Sequence, residues 1–159
     1  WFRITFLPMK HPLRTTFHAL TLSLTALAAS AATGDLNSPV GAWRTIDDKT
    51  GKTRSIVQVY EQGGELFARV ERDLTPGGAA ALCTRCKDER KDQPLVGLVF
   101  MRHMKVDGGE YRGGDILDPD NGSIYRCKLR LEDNGRKLKV RGFIGFSVFG
   151  RTQTWEREQ

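Results

Sequence analysis

The chain reads as an all-β protein, a small antiparallel up-and-down β-barrel of about eight strands with a long loop between strands three and four. Three observations predict this. Beyond residue 40 the apolar residues recur with period two rather than 3.6. Clusters of Gly, Asn, Asp and Pro interrupt that alternation at short spacings. No long helical period appears in the same stretch. The clearest strand is 123–131, where Tyr125, Cys127, Leu129 and Leu131 alternate with Ile124, Arg126, Lys128 and Arg130. One side suits a core and the other water.

In order, strands are expected over 40–46, 54–60, 65–72, 95–101, 110–117, 123–131, 137–143 and 147–156. The connectors are built from turn formers: Asp47-Asp48-Lys49-Thr50-Gly51, Gln62-Gly63-Gly64, Asp107-Gly108-Gly109 and Asp118-Pro119-Asp120-Asn121-Gly122. The Asn134-Gly135 pair suits the positive φ of a tight hairpin between the sixth and seventh strands. Consecutive antiparallel strands favour a meander closed on itself, with an open two-layer sheet as the alternative. Residues 73–94 break the rhythm with Pro76-Gly77-Gly78, a short alanine run, Cys83-Thr84-Arg85-Cys86 and alternating charge. A connection of that length inside a small domain is more often functional than idle, and a flap with a turn of helix over one barrel end is expected.

The front of the chain has the layout of an export signal, with the true start expected at Met9. Lys10, His11 and Arg14 precede an apolar stretch from Phe17 to Ala29, and Ala29-Ser30-Ala31 supplies the small residues of a cleavage site. The expected division is residues 1–31 as upstream residues and signal, and 32–159 as a single barrel domain. The whole chain of 159 residues carries 25 basic and 19 acidic side chains. Removing Arg3, Lys10 and Arg14 with the signal lowers 25 to 22 and the net charge from +6 to +3. Such a mixed surface gives no footprint for nucleic acid. No cysteine stands at the cut to take a lipid anchor, so a soluble periplasmic protein is expected. A membrane-inserted barrel is disfavoured, because Arg126, Lys128, Arg130, Lys137, Lys139 and Arg141 would face lipid. Each basic side chain at the bilayer middle costs about 2–4 kcal/mol.

Few residues are placed for catalysis. His103 is the single imidazole after the signal, too little for a Ser-His-Asp or two-His arrangement. No catalytic residue, cofactor or metal ligand is therefore assigned. Cys83 and Cys86 read first as a disulfide that pins the long loop in an oxidising compartment. A thiol-exchange pair and a zinc site with Cys127 and His103 are alternatives. The interior candidates for a bound molecule are Val57, Val59, Leu66, Ala68, Val99, Tyr125, Leu129, Val140 and Phe146.

Six segments in this order resemble a known family: Gly41-Ala42-Trp43, Pro94-Leu95-Val96-Gly97, 113–119 (GGDILDP), 121–125 (NGSIY), Arg141-Gly142-Phe143-Ile144-Gly145 and 149–155 (FGRTQTW). The chain over 38–157 is similar to the bacterial domain of unknown function 2147 family. That resemblance implies an exported protein with a lipocalin-like (calycin) eight-stranded barrel. Gly41-x-Trp43 is also similar to the lipocalin opening motif, a resemblance that implies that Trp43 closes one barrel end beneath a basic side chain from near the chain's end, Arg157 or Arg151. The expected function is non-enzymatic binding of a small apolar or amphipathic molecule inside the barrel. The alternative is an envelope thiol-disulfide redox or protein-interaction module using the Cys83/Cys86 loop.

Overall fold

The computed structural model describes residues 35–159, so the expected signal over 1–31 lies outside the described residues. Nine strands follow in chain order: β1 (Gly41–Ile46), β2 (Thr53–Gln62), β3 (Glu65–Asp73), β4 (Val99–Asp107), β5 (Glu110–Arg112), β6 (Asp115–Asp118), β7 (Ser123–Glu132), β8 (Lys137–Phe143) and β9 (Gly150–Arg157). All pairings are antiparallel, and β3 pairs with β4 to close the sheet on itself. Because β5 and β6 lie end to end between β4 and β7, the nine strands make eight staves. The break falls at Gly113-Gly114. A Cβ on Gly114 would stand 2.0 Å from the Arg102 carbonyl oxygen and 2.6 Å from Met104 Sδ, so only glycine lets the chain pass there.

Antiparallel order puts the 63–64, 108–109 and 133–136 turns at one end with both ends of the described chain. The 47–52, 74–98, 119–122 and 144–149 connections stand at the other. The first end is packed by Trp43, Val59, Leu66, Ala68, Met104, Leu129 and Leu138, all buried. The seam between β1 and β9 is short. Only Trp43 with Arg157 and Arg44 with Glu156 are paired, and beyond them the two strands part toward the second end.

β4 departs most from the expectation of 95–101, because it begins at Val99 and carries two bulges. Ala68 and Arg69 are adjacent on β3 but face Met101 and Val99, which leaves Phe100 as an extra residue. Phe100 turns inward and Val99 is displaced from the interior. A second bulge lies between the partners Met104 and Met101, where His103 takes a φ of 59°. The 74–98 loop holds one 3₁₀ turn, Gly78–Ala80. Its anchor is Arg90, 3% exposed, which donates to the Asp88 carboxylate and through Nη1 to the Val99 carbonyl at 3.2 Å.

Candidate functional site

The first end is sealed by a single side chain. The Arg157 guanidinium lies 4.2 Å from the Trp43 ring centre. It donates from Nε to the Gly135 carbonyl (2.7 Å), from Nη1 to Val40 (3.1 Å) and from Nη2 to Ser38 (2.7 Å). The Trp43 indole in turn donates to the Pro39 carbonyl at 2.8 Å. A cation that stacks on the ring while satisfying three carbonyls ties the entering chain, the β7–β8 turn and β9 together. Arg151 does not share this place. It sits at the opposite end, ion-paired with Asp48, because β9 runs from the mouth to the sealed end and five residues separate the two arginines.

The second end opens into a cavity of about 420 Å³. Its apolar floor is Val57, Phe100, Leu117, Val140 and Trp155, with Val70, Leu95, Ile116 and Tyr125 on the walls. The parted β1–β9 seam contributes Thr45, Ile46, Gln153 and Arg151. Gly142 on β8 leaves open space where a side chain would stand against Ile116 and Tyr125. Thus the interior is filled at the sealed half and hollow at the mouth half, which a barrel of eight strands permits.

The rim is polar and internally paired. Arg54 donates to Asp120 at 2.6 Å and so joins β2 to the β6–β7 turn across the intervening β3 and β4. That bond raises the guanidinium pKa above its ordinary value. Asp47 is held below the usual carboxylate range, first by the Thr50 hydroxyl and then by the Thr50 amide. Arg85 donates to the Asp120 carbonyl at 2.6 Å, which brings the 74–98 loop to the same rim, and Leu95 of that loop faces the cavity.

Of the nine interior candidates, the structure places Val57, Tyr125 and Val140 on the cavity. Val59, Leu66, Ala68 and Leu129 are buried in the packed core of the sealed half. Val99 is displaced by the bulge at Phe100. Phe146 is not interior at all: it is 80% exposed, because β8 ends at Phe143 and the chain turns away through Gly145 before β9 begins. The residues not anticipated are Phe100, Trp155, Leu117, Ile116, Leu95 and Val70. The period-two set Gln153 and Trp155 on the last strand was a readable signal for the Trp, whereas the β4 bulges left none for Phe100.

Cys83 and Cys86 form a disulfide with Cα atoms 5.4 Å apart, and both are buried. Cys127 is a buried free thiol whose pKa desolvation pushes up to about 12, so it is inert toward thiolate chemistry. His103 is exposed and paired through Nδ1 with Glu65 at 2.7 Å. Among the described residues, these cysteines and His103 are not brought together in a metal-holding group.

A closed antiparallel barrel with one sealed end and one hollow mouth is a lipocalin-like architecture. The chain belongs to the family described as "Uncharacterized protein conserved in bacteria (DUF2147)", which it matches over residues 41–157. Its structure is similar to that of a Helicobacter pylori protein, HP1028, described as belonging to the lipocalin family. The TM-score is 0.66 at 23% identity, over 77% of this chain and 84% of that one, a likeness of fold. No curated protein matches the chain.

Proposed function

We propose that the protein is an exported, non-enzymatic carrier that holds a small apolar or amphipathic molecule in the mouth half of its barrel. The carrying observation is the cavity of about 420 Å³ with an apolar floor and a polar rim. That size and lining match pockets for small molecules, about 300–1,000 Å³. Export to the periplasm is supported by the signal-like layout of residues 1–31 and by a disulfide in the long loop. Burial of both sulfurs favours a loop fastener over an exchange centre, since an exchanging sulfur has to be reachable.

Native mass spectrometry of protein recovered from its own host, together with titration of a fluorescent fatty acid, tests this reading. A bound small molecule, or uptake of the probe, is expected. Gly142→Leu supplies the control: its Cβ would stand 3.4 Å from Ile116 Cγ2 and 3.5 Å from Tyr125 Cβ, so the new side chain occupies the mouth. Probe affinity should fall roughly tenfold or more in a protein that still melts cooperatively. A ligand-free mass with no probe uptake by the unaltered protein overturns the proposal.

A further inference from the structure

The feature that the core does not absorb is the β8–β9 loop, which only borders the cavity through Ile144 and Phe149. Ile144, Phe146, Val148 and Phe149 are 68%, 80%, 78% and 72% exposed, four large apolar side chains within six residues at the mouth. The loop is held in this display rather than collapsed. Arg141 donates from Nε to the Ser147 carbonyl (2.7 Å) and from Nη2 to Val148 (3.1 Å). Ile144 and Phe149 are joined by a backbone bond of 3.2 Å. Immediately behind the tip lies an outer groove of about 370 Å³, with Phe143 and Phe146 on one side and Arg112, Arg126 and Lys128 on the other.

We propose that this loop is a docking tip that seats the mouth of the barrel on a lipid bilayer bearing anionic headgroups. The tip would lie in the headgroup and acyl boundary, with the cationic groove at headgroup level. The protein rests on the membrane and does not span it. Charge complementarity carries the choice of partner. Toward the mouth the outer faces of β7 and β8 bear Arg126, Lys128 and Arg141, whereas Arg130, Lys137 and Lys139 stand nearer the sealed end and are paired with Glu132 and Asp133. Among the described residues, Arg126 and Lys128 have no carboxylate within 4.0 Å, while Glu110 is already taken by Arg112. Most acids at the mouth are engaged elsewhere, Asp48 by Arg151, Asp120 by Arg54, and Asp47 and Asp118 by the turns they cap, while Asp115, opposite Arg126 in the β6–β7 register, is not within ion-pair distance of it. An apolar tip backed by unpaired cations is the pattern that binds an anionic interface. A second copy fits less well. Four side chains on a narrow turn fall short of the roughly 800 Å² per partner of a stable interface. A two-fold contact would also set like-charged collars against each other.

The proposal stands apart from the ligand reading, although Ile144 and Phe149 also line the cavity, so a seated tip would place the mouth against the acyl region. The test uses Phe146→Cys in the full chain, carrying an environment-sensitive nitrobenzoxadiazole label, with Glu61→Cys as the control at the sealed end. Cys127 is buried and Cys83 is bonded to Cys86, so the new thiol takes the label. With phosphatidylcholine vesicles containing phosphatidylglycerol, the tip label should shift to the blue and be quenched by spin-labelled acyl chains. The Glu61→Cys label should do neither, and vesicles of phosphatidylcholine alone should give little shift. Phe146→Asp with Phe149→Asp should cut vesicle binding roughly tenfold or more without moving the melting temperature. A tip label that stays in water beside anionic vesicles overturns the proposal. So does a blue shift that grows with protein concentration in the absence of lipid, which would make the partner a second copy.

Discussion

Two buried tryptophans, one beneath the sealed end and one at the floor of the cavity, are held in opposite ways. Trp43 is enclosed by backbone: its indole is bonded to Pro39, its face is covered by Arg157, and the same guanidinium satisfies three carbonyls. Trp155 forms part of a cavity floor beside Phe100, with ring centres 6.0 Å apart, and has open volume next to it. The sealed end is organised for stability. The mouth leaves apolar surface unfilled and keeps its polar groups on the rim, which stabilises the fold less and leaves room for another molecule. A single sheet thus divides its work along the strand axis.

The contrast should break most visibly at Arg157. Arg157→Ala removes a partly buried cation and leaves the Ser38, Val40 and Gly135 carbonyls without it, an expected loss of about 3 kcal/mol by urea or thermal unfolding. Probe affinity at the mouth should remain, because the cavity lies in the other half. Replacing both Cys83 and Cys86 with Ser comes next. A loop closed over a separation of three residues restrains little chain, so about 2 kcal/mol is expected, seen as faster proteolysis within 74–98.

Acidification gives a smaller effect, confined to the same loop. The Arg90 guanidinium beside Asp88 lowers that carboxyl from its ordinary 3.8 to about 2. A depressed carboxyl contributes stability that is fully present above its unfolded value and lost as pH falls through its folded one. The window therefore runs from about pH 4 down to about pH 2, with about 1–2 kcal/mol at stake. Asp88→Asn should remove that slope in hydrogen exchange of the loop. Smallest of all is the rim bond. Arg54 and Asp120 are 41% and 57% exposed, so Asp120→Ala should cost no more than about 0.5 kcal/mol in a double-mutant cycle.

Much of the strand order is legible in the sequence, but the division into a filled and a hollow half is not, since Val59, Leu66, Ala68 and Leu129 read as cavity residues and lie in the packed core. Period-two patterning located β1, β2, β3, β7 and β8 to within a few residues, because those strands face water on one side and core on the other. The Gly41-x-Trp43 segment marked the sealed end. Phase was lost where the backbone inserts residues. The extra Phe100 and the left-handed His103 shift β4 relative to β3, and a composition pattern carries no trace of a bulge. Phe146 failed for a related reason: an aromatic residue between two strands reads as core unless the turn at Gly145 is known to project it. The choice between Arg151 and Arg157 needed the register of β9 against β1, where Arg157 and not Arg151 stands opposite Trp43.

The two tryptophans supply the most direct measurement of whether the hollow half holds a ligand. A fatty acid brominated along its chain quenches only an indole it touches. Fluorescence should fall on titration of the unaltered protein and of Trp43→Phe, and the quenched component should vanish in Trp155→Phe. Quenching that survives in Trp155→Phe and disappears in Trp43→Phe would put the molecule at the sealed end, and the assignment of the mouth as the binding site would be wrong.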